Sequence, residues 1–451
     1  MNFKKMTTVF AVAGAMFIAG NASATNWLKL QGTEDPGSGA RAKVWGFLQP
    51  TYQKDVSPGT VPEPTRIGGN LNTQEQFQLF RARVGVRGTA LPLDDNVNYF
   101  VMWEMGNNAA TDGGYKYGVK TPMRLMDASV TLNSIPYARI RAGLFKTPGS
   151  EEVFQGIPAL DYINFTWVGN QLLLERYANG VTCNTTTDPT CNDGTLNYSD
   201  TGGWSSDFGA ARDTGVQVFD WFRTGDWEHS YAVMYGSGSG LEPYNPELVP
   251  GQHDLYLYWS SELVYGGKGA FQQGWKTYVW SQTGKRQIDL TDDGLNNPTV
   301  HDRNRAGIGT RYRRGDWRVG AEYITGKGMI FEGPEKPTFG YSNPAGVANT
   351  IGLDGQANGY YLDVGYYLPN TNWEFDGRYD VYNRDTESAV QAIEFQRTTL
   401  GVQYHLNKKS KVMFNYEIRS ATATGASAPA LFKSNLAQIG NRYGIQITTI
   451  F

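Results

Sequence analysis

Cysteine and histidine are scarce in this sequence, and long apolar segments are absent after its first residues. The 451 residues include two cysteines, Cys183 and Cys191, and four scattered histidines. No Cys-x-x-Cys-His motif occurs and the histidines form no cluster, so we expect neither a haem nor a metal site, and no cofactor. Beyond Ala24 no segment is long and apolar enough to be a transmembrane helix.

An excess of positive charge is also lacking, and so are the common catalytic motifs. The formal net charge is −3, whereas a nucleic-acid-binding protein is usually basic, so no nucleic-acid partner is expected. We find no Gly-x-Ser-x-Gly, no His-Glu-x-x-His and no Gly-x-x-x-x-Gly-Lys-Ser/Thr. The run GSGSG at Gly236–Gly240 lies in a predicted loop and is interpreted as a flexible linker. The sequence therefore does not indicate an enzyme.

The first 24 residues have the organisation of a secretory signal peptide. The basic start MNFKK is followed by the apolar run Val9–Ala19 and by the small residues Ala22-Ser23-Ala24, which are typical of a cleavage site. The alternative, a membrane anchor, requires a longer apolar run. We expect removal of residues 1–24 and a mature chain that starts at Thr25. In an exported protein, Cys183 and Cys191 are expected to form one disulfide within a loop.

The remaining composition favours a β-barrel that spans a membrane. Aromatic residues make up 13% of the chain and glycine contributes 54 residues, yet the mean hydropathy is only −0.45. A barrel strand needs an apolar residue only at alternate positions, so it is polar on average. The alternative is a large secreted β-sandwich or β-helix.

Strand spacing and loop lengths separate these alternatives. About sixteen segments with alternating polarity run from Lys43 to Phe451, among them Tyr137–Lys146 and Gln273–Gln282. The connections between them are alternately short and long, which is typical of transmembrane barrels with short periplasmic turns and long extracellular loops. We predict an all-β protein, a transmembrane antiparallel β-barrel of about sixteen strands in the Gram-negative outer membrane. Residues 25–42 are then a periplasmic N-terminal extension, and residues 43–451 form the barrel.

The predicted outer face agrees with contact to outer-membrane lipid. Trp227, Trp317 and Trp373 each begin a strand just after a short turn, as in the aromatic girdle of a membrane barrel. The last strand, NRYGIQITTIF, alternates in polarity and ends on Phe451. A terminal aromatic residue of this kind resembles the C-terminal signature of outer-membrane barrels.

The segment FRARVGVRG, residues 80–88, is cationic on one parity and apolar on the other. Phe80, Ala82, Val84 and Val86 alternate with arginines. An arginine that faces lipid costs about 2–4 kcal/mol near the midplane, so we expect the arginines to face a water-filled lumen. A strand that binds nucleic acid and an ordinary solvated face are the alternatives for this segment alone.

The same pattern recurs along the chain, and the inward parity carries both signs of charge. The predicted basic lumen residues are Arg81, Arg83, Arg87, Arg139, Arg141, Arg303, Arg305, Arg311, Arg313, Arg318 and Arg397. The predicted acidic lumen residues are Asp363, Glu374, Asp376 and Asp380. Cationic side chains that line a pore favour anions. We expect a basic wall and a separate acidic wall.

The longest connection, residues 147–212, is the third extracellular loop. Its first part, GSEEVFQGIPALDYINFTWVGNQLLLER, is too apolar to lie in water and does not alternate like a strand. We expect it to fold into the barrel as a constriction. Its apolar side chains would pack on the wall, while Glu151, Glu152, Asp161, Glu175 and Arg176 reach the lumen. A loop that lies over the mouth, or a contact within a trimer, is the alternative.

Four runs resemble the phosphate-selective porin O and P family: RARVGVRG, LMDASV, RIRAGLFKTPGSEE and LLLER, within residues 76–177. This resemblance implies a sixteen-stranded homotrimer that passes anions through an arginine-lined constriction, to which Arg81, Arg83, Arg139 and Arg141 contribute. The sequence departs from a dedicated phosphate channel in its acidic outer loop QIDLTDDGLNNP.

The leading functional hypothesis is a porin for passive diffusion of small polar solutes, with a preference for anions and with phosphate as one such anion. The alternative is a sheath or scaffold around an exported partner, such as an electron-transfer protein. A sheath needs a wider lumen and a third loop that stays outside it.

Overall fold

The chain forms a closed antiparallel β-barrel. The computed structural model describes residues 26–30, 41–56, 75–90, 94–106, 108, 123–174, 211–238, 253–267, 272–288, 299–331, 351–352, 354–428, 430–437 and 439–451. No helix in these ranges is long and apolar enough to cross a membrane. Sixteen strands follow one another around the barrel, and the first pairs with the last.

The first half of the barrel contains β1 Lys43–Asp55, β2 Glu75–Ala90, β3 Asp94–Glu104, β4 Arg124–Leu132, β5 Arg139–Lys146, β6 Arg212–Thr224, β7 Trp227–Gly236 and β8 Asp254–Gly266. The second half contains β9 Gln273–Ile288, β10 Thr299–Arg314, β11 Trp317–Lys327, β14 Gln356–Tyr367, β15 Trp373–Arg384, β16 Ile393–Asn407, β17 Ser410–Ala423 and β18 Arg442–Ile450. Two short strands, β12 Ile330–Phe331 and β13 Ile351–Gly352, form a separate ribbon between β11 and β14. The fold class and the strand number predicted from the sequence are confirmed.

Helical segments are short. They are Trp27–Leu30 before the barrel, Glu151–Phe154, the 3₁₀ turn Ile157–Ala159 and the π-helical turn Gly169–Leu173 in the third loop, and Ala430–Leu436 before β18. The strand bounds confirm the alternation of short turns with long loops, because two residues separate β6 from β7 whereas 65 separate β5 from β6. The barrel therefore has a turn end and a loop end.

The outer face carries an apolar belt bounded by tryptophan. Trp227, Trp317 and Trp373 are the first residues of β7, β11 and β15, and all three are exposed. Leu362, Leu400 and many other large apolar side chains are exposed between the barrel ends. Apolar surface of this extent is stable against lipid and not against water. The barrel is accordingly of the type that spans the Gram-negative outer membrane.

One residue of the basic strand β2 departs from its predicted side. Gln49 of β1 pairs with Arg81 and Pro50 pairs with Leu79, so Phe80 has no partner in the β1 register. The extra residue is a β-bulge, and it reverses the parity of the residues that precede it. Phe80, predicted to face lipid, is only 4% exposed, whereas Leu79 is 43% exposed. Proline has no backbone N–H for the ladder, which explains a register change at Pro50.

Residues 26–30 also depart from their predicted place. They were expected in a periplasmic extension, yet Asn26 hydrogen-bonds Glu228 and Ser230 on the inner face of β7. Trp27 and Leu28 are buried there, which removes their apolar surface from water. Residues 1–25, including the predicted signal peptide, lie outside the described residues.

Candidate functional site: the barrel lumen

The lumen is lined by the polar side chains that occupy alternate positions of the strands. On β10, Arg303, Arg305, Arg311 and Arg313 are buried, while Ile308 on the opposite parity is exposed. Arg81, Arg83 and Arg87 of β2 are buried in the same way. Strand alternation therefore places the predicted arginines on the inner face, where side chains from the wall and the third loop cover them.

The arginines of β2 and β5 form one group, which we call the arginine ladder: Arg81, Arg83, Arg87, Arg139 and Arg141. Arg83 Nε donates to Glu104 Oε2 at 2.6 Å, and Arg81 Nη1 donates to Gln49 Oε1 at 2.9 Å. Arg139 pairs with Asp220, and Arg141 Nε donates to Thr131 Oγ1 at 3.2 Å. Neutral acceptors thus hold part of this group alongside the two carboxylates.

Aromatic rings orient several ladder arginines. The Arg141 guanidinium lies 4.5 Å from the Phe219 ring centroid, and that of Arg87 lies 5.7 Å from the Phe100 centroid. A guanidinium over an aromatic face is attracted by the ring quadrupole without losing its charge. These contacts hold the arginines in place while preserving the cationic character of the wall.

The acidic residues do not form the separate wall expected from the sequence. Asp363 Oδ1 lies 2.5 Å from Arg318 Nη1, and Asp376 Oδ1 lies 2.5 Å from Arg318 Nη2. Glu374 is a further partner of Arg318 at 3.4 Å, and Asp380 pairs with Arg397 at 2.9 Å. A charge removed from water needs a close counter-charge, so acids and arginines of neighbouring strands interleave.

The remaining predicted arginines of β10 have mixed partners. Arg303 Nη1 lies 3.0 Å from Asp254 Oδ2, and Arg311 Nη1 lies 3.3 Å from Asp363 Oδ2. Arg305 Nη2 donates to the Met329 carbonyl at 2.7 Å. Arg313 lies over the Tyr367 ring, 5.5 Å from its centroid. These arginines line the lumen but also brace neighbouring strands and the segment after β11.

The described part of the third loop, residues 147–174, lies inside the barrel. The Ile163 N–H donates to Asn415 Oδ1 of β17 at 2.8 Å, and the Trp167 N–H donates to Asp380 Oδ1 of β15 at 2.7 Å. Both acceptors are buried on the inner face. The loop therefore does not lie over the mouth in this part.

Charged wall residues, which we call the anchor residues, hold the loop: Lys276, Arg318, Arg378, Arg397 and Lys411. Three of them pair with loop carboxylates, at 2.6 Å for Lys276–Glu151, 3.0 Å for Arg378–Glu152 and 2.9 Å for Arg318–Asp161. Arg397 Nη2 donates to the Phe165 carbonyl at 2.5 Å, and Lys411 Nζ donates to the Leu160 carbonyl at 2.7 Å.

The three loop acids consequently differ from their expected state. Glu151, Glu152 and Asp161 were expected to reach the open lumen, but each is buried and paired with a wall cation. Burial raises the pKa of the Glu152 carboxyl above its usual value, although Arg378 opposes this effect. Glu175 and Arg176, the other two predicted loop residues, lie outside the described residues, as do Cys183 and Cys191.

Apolar packing against the barrel wall also holds the third loop in place. Phe154 lies 5.8 Å from Tyr258 of β8 and Trp167 lies 4.9 Å from Phe395 of β16, measured between ring centroids. The other apolar loop residues predicted to pack on the wall are buried as well: Ile157, Leu160, Tyr162 and Phe165. From β5 itself, Lys146 Nζ donates to the carbonyls of Val153 at 3.0 Å and Gln155 at 2.5 Å.

Sequence reasoning missed several of these lumen residues. Lys276, Arg378 and Lys411 fall on the inward parity, but the second inward basic residue of each strand is six or more positions away, at Arg286, Arg384 and Arg419. These strands therefore lack the closely spaced arginines that marked β2 and β10. A small cavity beside the start of the loop adds Arg212, Tyr256 and Trp280. The alternation of inward and outward positions along the strands could have identified the anchor residues. The residues around the cavity could be found only once the three-dimensional fold was known.

Comparison with known proteins supports the porin-type fold. No family model matches the chain, and no curated protein is similar to it at a significant level. Solved structures do match. The anion-selective porin from Comamonas acidovorans is 13% identical, with a TM-score of 0.52, over 91% of this chain and 99% of that chain.

Two further structures agree. Salmonella typhi OmpF is 11% identical with a TM-score of 0.53, covering 91% of this chain and 97% of that one. The outer membrane channel DcaP of Acinetobacter baumannii is 13% identical with a TM-score of 0.51, covering 93% and 99%. At such identities the likeness concerns the fold alone, a closed antiparallel barrel of sixteen strands.

Proposed function

We propose that this protein is an outer-membrane porin through which small polar solutes diffuse passively, with a preference for anions. The observation that carries the proposal is the inner face of a closed barrel, where the arginine ladder on β2 and β5 lies apart from the anchor residues. Cationic side chains along a pore lower the energy of an anion and raise that of a cation. The similarity in fold to porins supports the pore itself.

The acidic side chains limit this preference without reversing it. Asp363, Asp376 and Asp380 lie within ion-pair distance of arginines, so their fields are largely cancelled at the distance of a passing ion. The ladder brings five arginines together, of which Arg83 pairs with Glu104 of β3 and Arg139 pairs with Asp220 of β6. The lumen should therefore be net attractive to small anions near the ladder.

Phosphate is the first specific anion to test, because residues 76–177 resemble phosphate-selective porins. The same resemblance implies a homotrimer, which cross-linking in detergent would reveal. The ladder supplies guanidinium groups, whose planar donors suit phosphate oxygens. Phosphate should then block chloride current at concentrations where nitrate and a small sugar do not.

The alternative sheath for a partner protein needs the third loop outside the lumen. In the described part of the chain, residues 147–174 lie across the inner wall and make buried contacts with β9, β11, β15, β16 and β17. A protein partner would have to displace these contacts. The placement of the loop therefore argues against the sheath.

A salt gradient across a planar bilayer tests the proposal. Purified protein in a tenfold KCl gradient should give a reversal potential of the sign expected for chloride preference. A potential of the opposite sign would contradict the anion preference, and an absence of current would contradict the pore. Replacing Arg314, which is exposed on β10, by glutamine gives a control for loss of one arginine outside the lumen.

A further inference from the structure

The segment that precedes the barrel enters the lumen. Asn26 Nδ2 donates to Glu228 Oε1 at 3.0 Å and to Ser230 Oγ at 2.6 Å. Both acceptors are buried residues on the inward parity of β7. Glu228 follows Trp227, the girdle residue at the turn end of that strand, so the segment occupies the lumen near its periplasmic mouth.

Trp27 connects this segment to the third loop. Its Nε1 donates to Glu151 Oε1 at 3.0 Å, and its side chain is 6% exposed. The ring lies against Gly156, where an added Cβ would come within 3.3 Å of Trp27 Cζ3. A larger side chain at position 156 would thus press on the indole ring, so the loop and the segment are fitted to each other.

Glu151 joins three parts of the molecule. It accepts from Trp27 and also pairs with Lys276 Nζ of β9 at 2.6 and 2.7 Å. A carboxylate has acceptor sites for both donors. One loop residue therefore ties the preceding segment to the wall through hydrogen bonds that are shielded from water.

Apolar burial adds to these polar contacts. Leu28 is 1% exposed and belongs with Trp27 to an apolar cluster that includes Phe154 of the loop, Phe219 of β6 and Tyr258 of β8. Trp27 and Leu28 together are a substantial apolar surface that water would otherwise cover. The cluster extends from the wall to the third loop inside the barrel.

We propose that residues Asn26–Leu30 are a second constriction element, seated below the third loop, that limits the size of the solutes crossing the lumen. The proposal rests on the pore function above and adds a specificity determinant to it. Residues 31–42 are long enough to connect the seat to β1, since twelve extended residues span about 40 Å.

Truncation tests this role. Two chains, one starting at Thr25 and one at Gln31, are refolded from denaturant and compared in planar bilayers and in liposome swelling with sugars of increasing size. The chain that starts at Gln31 should show at least about twofold greater single-channel conductance and should admit larger sugars, because an obstruction has been removed. Equal conductance and equal size limits in conducting channels would overturn the proposal.

Point variants distinguish the effect of the Trp27 ring from a general disturbance of the fold. Trp27→Ala should reproduce most of the truncation effect, whereas Trp27→Phe, which keeps an aromatic ring but loses the bond to Glu151, should give a smaller change. Trp317→Ala is the matched control, since it removes an exposed tryptophan of the outer girdle. A conductance change in Trp317→Ala as large as that in Trp27→Ala would contradict the assignment.

A cross-link tests the seat independently of any current. The double variant Asn26→Cys with Ser230→Cys should be joined by a short bifunctional thiol reagent, identified by mass spectrometry of peptides, because the two side chains lie within hydrogen-bond distance. Absence of this cross-link from folded protein would overturn the proposal. If the cross-link forms but neither chain conducts, the porin function fails and the size-limiting role fails with it.

Discussion

The two sides of the lumen use the same residue type for different purposes. On the side of β9 to β17, arginines and lysines pair with carboxylates and hold the third loop, as Arg318 does with Asp161, Asp363 and Asp376. On the side of β2 and β5, the ladder arginines contact neutral acceptors and aromatic rings as well as Glu104 and Asp220. A count of inward arginines therefore overstates the charge that a solute meets.

This difference separates stability from selectivity. Removing one member of a buried ion pair leaves the other without compensation, which costs several kcal/mol. Removing an arginine that contacts a ring or a neutral acceptor mainly changes the local potential. Variants on the anchor side should act on folding, and variants on the ladder side should act on ion preference.

The largest effect is expected at Arg318. Arg318→Met leaves Asp161, Asp363, Asp376 and Glu374 without the cation they surround. Unfolding should become easier by about 3–5 kcal/mol, seen as a lower temperature for the heat-dependent mobility shift of the barrel in detergent gels. Arg314→Met is the control, because Arg314 is exposed. Equal stability of the two variants would contradict an anchoring role for Arg318.

Asp385 provides an exception on the anchor side, at the loop end of β15. Its carboxylate is buried, lies 3.8 Å from Arg384 Nε, and has no hydrogen-bond partner among the described residues. Burial raises the pKa of Asp385 to about 7, although Arg384 opposes the rise. The folded state thus holds this proton more tightly than the unfolded chain, so stability falls as pH rises from about 4 to 7.

Asp385→Asn should remove this pH dependence. Asn tolerates the positive φ of 50° at this position. The variant should be more stable than the wild-type protein by about 4 kcal/mol at pH 8, and the two should converge near pH 4. The difference in stability between the two proteins is measured at both pH values by the temperature of the heat-dependent mobility shift in detergent gels. A constant difference across the range would show that the Asp385 charge is not the cause.

The sequence was sufficient for the barrel because the relevant signals are local. Alternation in β10 and the tryptophan that begins β7 depend on neighbours in the chain and on lipid, both of which any barrel strand shares. The ends of individual strands were predicted less accurately than their number and order. Tyr137 was predicted in a strand but has a φ of 61° and lies in the turn before Arg139, and β9 continues to Ile288 beyond the predicted Gln282.

The lumen was less predictable because its contacts are distant in sequence. Asp161 and Arg318 are 157 positions apart, and nothing in either segment indicates the pair. The bulge at Phe80 had one local signal, Pro50 in the neighbouring strand, but its position relative to Phe80 depends on the β1–β2 register. The apolar character of Trp27 and Leu28 is consistent with burial, but the sequence does not indicate which part of the barrel they pack against.

The ladder variants test the division between the two sides most directly. Replacing Arg87 and Arg141 by glutamine should weaken anion preference by about 1 kcal/mol, or roughly fivefold in the permeability ratio, because each charge acts on an ion about 8 Å away in water. The matched double variant Arg397→Gln with Asp380→Asn neutralises an anchor-side pair and leaves net charge unchanged. The measurement is the reversal potential of both in a KCl gradient. We predict a clear shift toward zero for the ladder variant and none for the anchor variant, whereas equal shifts would contradict the account.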